Sequence, residues 1–120
     1  MAIANERDNK NYDIFVGGWF SDYNDPLDFL NIMKTGVYDS YGLYSNSEYD
    51  SLIDSLTGEN DNAKRLEIYQ KLEDLLVAQD CGVAPLYYSD KHYYYQNWVK
   101  DFYTSSFGAS QELYRATVEK

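Results

Sequence analysis

The stretch from Tyr12 to Met33, YDIFVGGWFSDYNDPLDFLNIM, most constrains what this chain can fold into. Tyr12–Gly18 is a short apolar run with β-branched and aromatic members, which predicts a buried strand. Gly17-Gly18 then lets the backbone turn sharply or approach another group closely. Asp25-Pro26 predicts a helix start: Asp caps, Pro suits the first helical position, and Asp28 lies three residues past the cap. Phe29, Leu30, Ile32 and Met33 give that helix apolar contacts, and Gly36 is its expected stop. Between corner and helix lies a loop that holds Trp19, Phe20 and Tyr23 beside Asp22.

The rest of the chain predicts helices first and strands afterwards. Residues 36–46 have no period and read as loop. Ser47-x-x-Asp50 is a second capping pattern, and Tyr49, Leu52, Ile53 and Leu56 follow at the spacing of one helical face, closed by Gly58. Asp61 or Asn62 opens a third helix. Leu66, Tyr69, Leu72, Leu75 and Leu76 form its apolar stripe, with Lys64, Arg65, Glu67, Lys71, Glu73 and Asp74 on the wet side, and Gly82 closes the segment. Val83–Tyr88 predicts a strand that is at an edge or bulged at Pro85. His92–Tyr95 is a candidate further strand, Trp98-Val99 a core anchor, 100–112 a mixed loop, and Leu113–Val118 a last strand standing apart from the rest. The layout is a mixed α/β arrangement, and the first strand has no partner before it.

Composition removes several classes of function. The 120 residues suit one domain, and 44% hydrophobic content supports a core. A net charge of -10 disfavours contact with nucleic acid, because phosphate repels such a surface. The single cysteine, Cys81, rules out an internal disulfide and is expected to be a small buried residue. No apolar run is long enough to span a membrane, and the polar residues 1–11 contain no signal-peptide core.

The acidic loop admits several chemistries. Asp22, Asp25 and Asp28 resemble a carboxylate pair for glycoside hydrolysis, but helix capping already explains Asp25 and Asp28. Only Asp22 is then left without a structural duty. DYNDPLD has the close Asp and Asn spacing of a calcium loop, yet it lacks the EF-hand order, central Gly and distant Glu. His92 has no Ser, Cys or second His at useful spacing and is expected at the surface. Neither an enzyme nor a metal or cofactor site is expected. Trp19 and the tyrosines Tyr41, Tyr44, Tyr87, Tyr88, Tyr93, Tyr94 and Tyr95 have packing as their simplest role.

The same residues carry a family resemblance. GGWFSDYNDPLDFLNIM closely resembles the segment around the ligand-amine site of oligopeptide-binding proteins, the extracytoplasmic solute-binding family 5 of peptide ABC transporters. YSNSEYDSLID is similar to that family's Tyr-Ser-Asn-Pro-Glu-Tyr-Asp helix opening, with Ser47 where Pro is common. NAKRLEIYQKLEDLLVAQDCGVAPLYYSDKHYYYQNWV resembles its long helix, its Pro-Leu-Tyr-Tyr strand and its Trp-Val anchor, and ELYRATV its last strand. The first motif is specific and the helix generic; order and spacing together give the resemblance its weight.

The resemblance implies the C-terminal portion of a two-lobed periplasmic-binding-protein-like (type II) fold. Residues 1–11 would be a polar lead-in or appended residues, 12–100 part of the second ligand-binding lobe, and 101–120 a return segment to the first. Asp22 would pair with the α-ammonium of an oligopeptide, and Trp19, Phe20 and Ser21 would lie beside the peptide backbone. The implied partners are an oligopeptide and, through a longer protein, a membrane ABC permease. The implied location is extracytoplasmic, periplasmic or lipid-anchored, with the targeting segment upstream. Weak peptide binding by the isolated chain and dimers of it are further expectations. The alternatives are the same family with another solute (a metal chelate, haem or sugar) and a stand-alone acidic, Tyr-rich interaction domain.

Overall fold

A computed structural model describes residues 12–37, 43–108 and 113–119. The polar lead-in 1–11, Tyr41 and residues 109–112 of the mixed loop lie outside the described residues.

Three helical segments build the core. Helix α1, Leu27–Leu30, runs on as a tighter 3₁₀ turn over Asn31–Met33. Gly36, at φ 77°, supplies the left-handed residue that turns the chain away. Helix α2 is Ser47–Ser55, and its cap lies one residue earlier than the Ser47 pattern implies. The Asn46 side chain accepts from the N–H groups of Glu48 and Tyr49. Asp50 is thereby free for another task and accepts the Thr35 N–H at 2.9 Å, which holds the end of the first helical segment on α2. Helix α3, Asn62–Glu73, is capped by Asp61 and continues over Asp74–Gln79 with the wider winding of a π-helix.

Leu30, Met33, Tyr49, Ile53, Leu56, Leu72, Leu75 and Leu76 are the buried hydrophobic core. Burial of each such side chain contributes about 1.5–3 kcal/mol. Tyr49 is fully enclosed, and its hydroxyl donates to the Leu30 carbonyl at 2.8 Å, which removes the cost of a buried polar tip. The Tyr44 ring stands edge-on to Tyr49 at 5.3 Å.

Several sequence expectations are corrected. Leu66 is exposed rather than part of the α3 stripe, while Ile68 packs against the core instead. Arg65 is not on the wet side: it is half-buried and ion-paired to Asp25. Cys81 is exposed. It adopts φ 51° as the chain leaves α3, and Gly82 takes the packed position, where a Cβ would lie 2.6 Å from the Tyr44 ring.

The strands differ most. Tyr12–Gly18, Val83–Tyr88 and His92–Tyr95 form none in the described residues. Ile14 and Val16 are 85% and 76% exposed, and Tyr88 is 100% exposed. A strand needs a neighbour that exchanges N–H and C=O bonds with it, and the one sheet among the described residues pairs other segments. Trp98 is 41% exposed and is not part of the described core. The last strand does not stand apart. Strand β1, Val99–Lys100, pairs antiparallel with β2, Thr117–Val118, in the register Val99 to Val118 and Lys100 to Thr117. The Glu119 N–H extends that contact to the Trp98 carbonyl at 2.9 Å.

Candidate functional site

The loop at residues 19–25 is built from the start of α1 outward. Asp25 caps this helix: its Oδ1 accepts the Leu27 N–H at 2.9 Å, and its backbone carbonyl accepts the Asp28 N–H at 3.1 Å. The same carboxylate reaches across the core. Arg65 donates to Oδ2 at 2.6 Å, and the Tyr69 hydroxyl donates to Oδ1 at 2.6 Å. Burial alone pushes the Asp25 carboxyl up, but the Tyr69, Leu27 and Arg65 donors outweigh it and hold the group below the usual carboxylate range.

Asp28 departs from its expected role. It adds nothing to the cap; its side chain is buried and turns back over the loop. One oxygen, Oδ2, accepts the Asp22 backbone N–H at 2.8 Å and the Trp19 indole N–H at 3.1 Å. Sequence reasoning missed this contact because the spacing from Asp25 fits a capping box. The available signal is a charged residue set inside Leu27-Asp28-Phe29-Leu30, where an apolar run makes it costly to bury without partners.

The four predicted ligand residues are adjacent on this loop and differ in exposure. Trp19 is half-buried, with its indole held by Asp28. Phe20 is exposed on one face, and the Lys91 ammonium lies 4.2 Å from its ring centroid, a cation–π distance. Ser21 donates through its hydroxyl to the Tyr23 carbonyl, and its own carbonyl accepts the Gly108 N–H at 2.9 Å. Asp22 is exposed, and no described group hydrogen-bonds to or ion-pairs with its carboxylate. Gly18 sits in open space, with neither a tight turn nor a close neighbour to require it. The extended run before Trp19 is likewise exposed at Asp13, Ile14, Val16, Gly17 and Gly18.

The local potential is negative. Burial and then the fields of Asp28, Asp25 and Asp22 hold the Tyr23 phenol above its usual value. Such a corner favours a cation. Two open clefts elsewhere, of about 440 and 490 Å³, are lined by residues such as Tyr103 and Arg115, or Val77 and Pro85, and by none of the four loop residues. Among the described residues no three His, Cys, Asp or Glu side chains gather as a metal-ligand set. His92 is exposed, as expected.

No protein-family model matches the chain. Individual relatives do. The oligopeptide-binding protein OppA of Bacillus subtilis is 33% identical over 115 residues, covering 84% of this chain and 20% of its own. The periplasmic oligopeptide-binding protein OppA of Salmonella typhimurium is 31% identical over 98 residues, covering 82% and 18%. In structure, the substrate-binding domain of an oligopeptide ABC transporter from Bacillus anthracis superposes with a TM-score of 0.86 at 29% identity, over 98% of this chain and 23% of that one. The chain thus spans about a fifth of the length of the curated relatives it matches. The mixed α/β architecture is that of a segment of a two-lobed binding-protein fold. Similar in sequence over most of its length and in fold over nearly all of it, this chain is a member, over the fifth that it spans, of the oligopeptide-binding protein family of peptide ABC transporters.

Proposed function

We propose that this chain is part of an extracytoplasmic receptor that binds oligopeptides and delivers them to an ABC importer, with Asp22 pairing with the peptide α-ammonium. The observation that carries this reading is the exposed Asp22 carboxylate, which has no partner among the described residues, on a loop whose Asp22 N–H is held by Asp28. A charge-assisted N–H···O contact is shorter and about twice as strong as a neutral one. The run before Trp19 is extended, belongs to no strand among the described residues, and offers its exposed backbone at Asp13, Ile14, Val16, Gly17 and Gly18 to a ligand backbone. Strand addition of that kind gives affinity with little dependence on side chains. Trp19 and Phe20 add apolar wall beside it.

Closure of two lobes around the peptide strengthens the ion pair by excluding water. Residues 12–100 belong in this reading to one lobe and 101–120 to the return toward the other. The contact from Gly108 to Ser21 ties the return to the ligand loop. One ion pair and a few hydrogen bonds give the isolated chain millimolar affinity at best, on the order of -4 kcal/mol.

The test is calorimetric titration of a longer protein containing both lobes with a pentapeptide and its N-acetylated form. Acetylation and Asp22→Ala are each expected to weaken binding by roughly 2–5 kcal/mol, the range for removing one partner of a buried charge pair. Equal affinity for the free and acetylated peptides would end the assignment of Asp22.

A further inference from the structure

We propose that Asp28 is the positioning residue of the amine corner, the group that refers the place of Asp22 and Trp19 to the helical core. The proposal rests on the reading of Asp22 given above. Three observations support it. Asp28 is 7% exposed, so its carboxylate is held within the fold and not displayed to ligand. Its Oδ2 accepts from the Asp22 N–H and the Trp19 indole N–H, so one oxygen fixes both ends of the four-residue ligand stretch. Its backbone belongs to α1, whose Leu30 is buried in the core.

An anion suits this duty. A carboxylate accepts two N–H groups with charge-assisted strength, and it is buried with donors to compensate it. A residue with no acceptor would leave the Asp22 N–H and the indole without this partner. The loop would then keep its other ties: the Ser21 carbonyl to Gly108, the Ser21 hydroxyl to Tyr23, and Lys91 over Phe20. These hold Ser21 and Phe20, and none of them reaches the Asp22 amide. Asp28 lies outside the buried apolar cluster and is the single buried charged residue among those described.

Nuclear magnetic resonance on the 120-residue chain tests this directly. In the unmodified protein a through-hydrogen-bond coupling is expected between the Asp22 amide nitrogen and the Asp28 side-chain carboxyl carbon. In Asp28→Ala the Asp22 amide and Trp19 indole signals are expected to move toward their unfolded positions, with the Trp98 indole as an internal reference. A longer protein containing both lobes, with and without the same substitutions, is titrated with a free and an N-acetylated pentapeptide. The affinity ratio of free to acetylated peptide is expected to fall toward one in Asp28→Ala and to an intermediate value in Asp28→Asn, which keeps one acceptor oxygen. A merely destabilised fold would weaken both peptides alike and leave the ratio unchanged. An absent coupling, unmoved signals in a folded variant, or an unchanged ratio would overturn the proposal. If the unmodified longer protein does not distinguish the two peptides, the amine reading fails on its own, and the coupling and the two signals still decide whether Asp28 positions the loop.

Discussion

Arg65 on α3 and Asp25 at the start of α1 are joined by an ion pair of 2.6 Å across forty residues of sequence. Arg65 also donates through Nη1 to the carbonyls of Leu56 and Glu59, at 3.3 and 3.2 Å, and through Nη2 to the Tyr69 hydroxyl. One guanidinium thus ties together the beginning of α1, the end of α2 and the face of α3. Exposed pairs contribute about 0–1 kcal/mol and breaking a buried pair costs about 3–5 kcal/mol. A half-buried pair with these extra bonds falls between. Arg65→Met is expected to destabilise by roughly 1–3 kcal/mol in denaturant unfolding. Lys64→Met, which removes only the exposed 4.0 Å contact to Glu59, is expected to cost under about 0.5 kcal/mol.

The same cluster sets a pH window. Asp25 is held below its ordinary value, so its contribution is complete above about pH 4 and is lost as pH falls through the lowered folded value. Asp80 behaves alike, lowered by hydrogen bonds from Asn46 and Tyr44. Tyr69 is pushed up to about 12, chiefly by burial and then by its bond to Asp25. Its contribution is complete below about pH 10 and is lost as pH rises through the folded value. Thermal unfolding from pH 2 to 12 should give a plateau that falls at both ends. Asp25→Asn should flatten the acidic fall.

Gly82→Ala tests the packing behind α3. The added methyl would meet the Tyr44 ring at 2.6 Å and the Leu76 side chain at 3.1 Å. That ring cannot easily move, since its hydroxyl donates to Asp80 at 2.8 Å and its edge faces Tyr49. Overpacking of this kind costs about 1–3 kcal/mol, to be measured as a shift of the denaturation midpoint at unchanged slope.

Self-association is the expected behaviour of the isolated chain. Ile14, Val16, Leu86, Tyr87, Tyr88 and Tyr94 are all more than 70% exposed, in extended segments whose backbone groups lack strand partners among the described residues. The radius of gyration is 18.5 Å, against about 14 Å for a compact domain of this length. Exposed apolar edges of this kind pair with one another. Light scattering over a wide concentration range should give masses that rise toward the dimer; a constant monomer mass would refute it.

The helices were legible because their signals are local. Asp61, Gly36 and Gly58 act where their chemistry predicts, and Tyr49, Ile53 and Leu56 bury the face that their spacing defines. Asn46 in place of Ser47 is a one-residue slip between neighbouring residues that both cap well. The strands were legible only as apolar composition. Pairing is a property of two segments, and Val83–Tyr88 finds no second one among the described residues. Trp19 to Asp22 share one loop, as their adjacency in sequence requires. The Asp28 contacts were not legible, because a capping role and a clamping role place the same residue type at the same spacing.

The buried core consists wholly of residues on or next to the helices, and none of residues 12–20 belongs to it. The segment that would face a ligand therefore contributes no side chain to the buried core. Substitutions at Ile14, Val16 or Phe20 can accumulate without threatening the helices, and a lineage can drift from one preferred ligand to another while its scaffold stays intact. The brake on that drift is the few residues, Asp25 and Asp28 first among them, that belong to the loop and the scaffold at once.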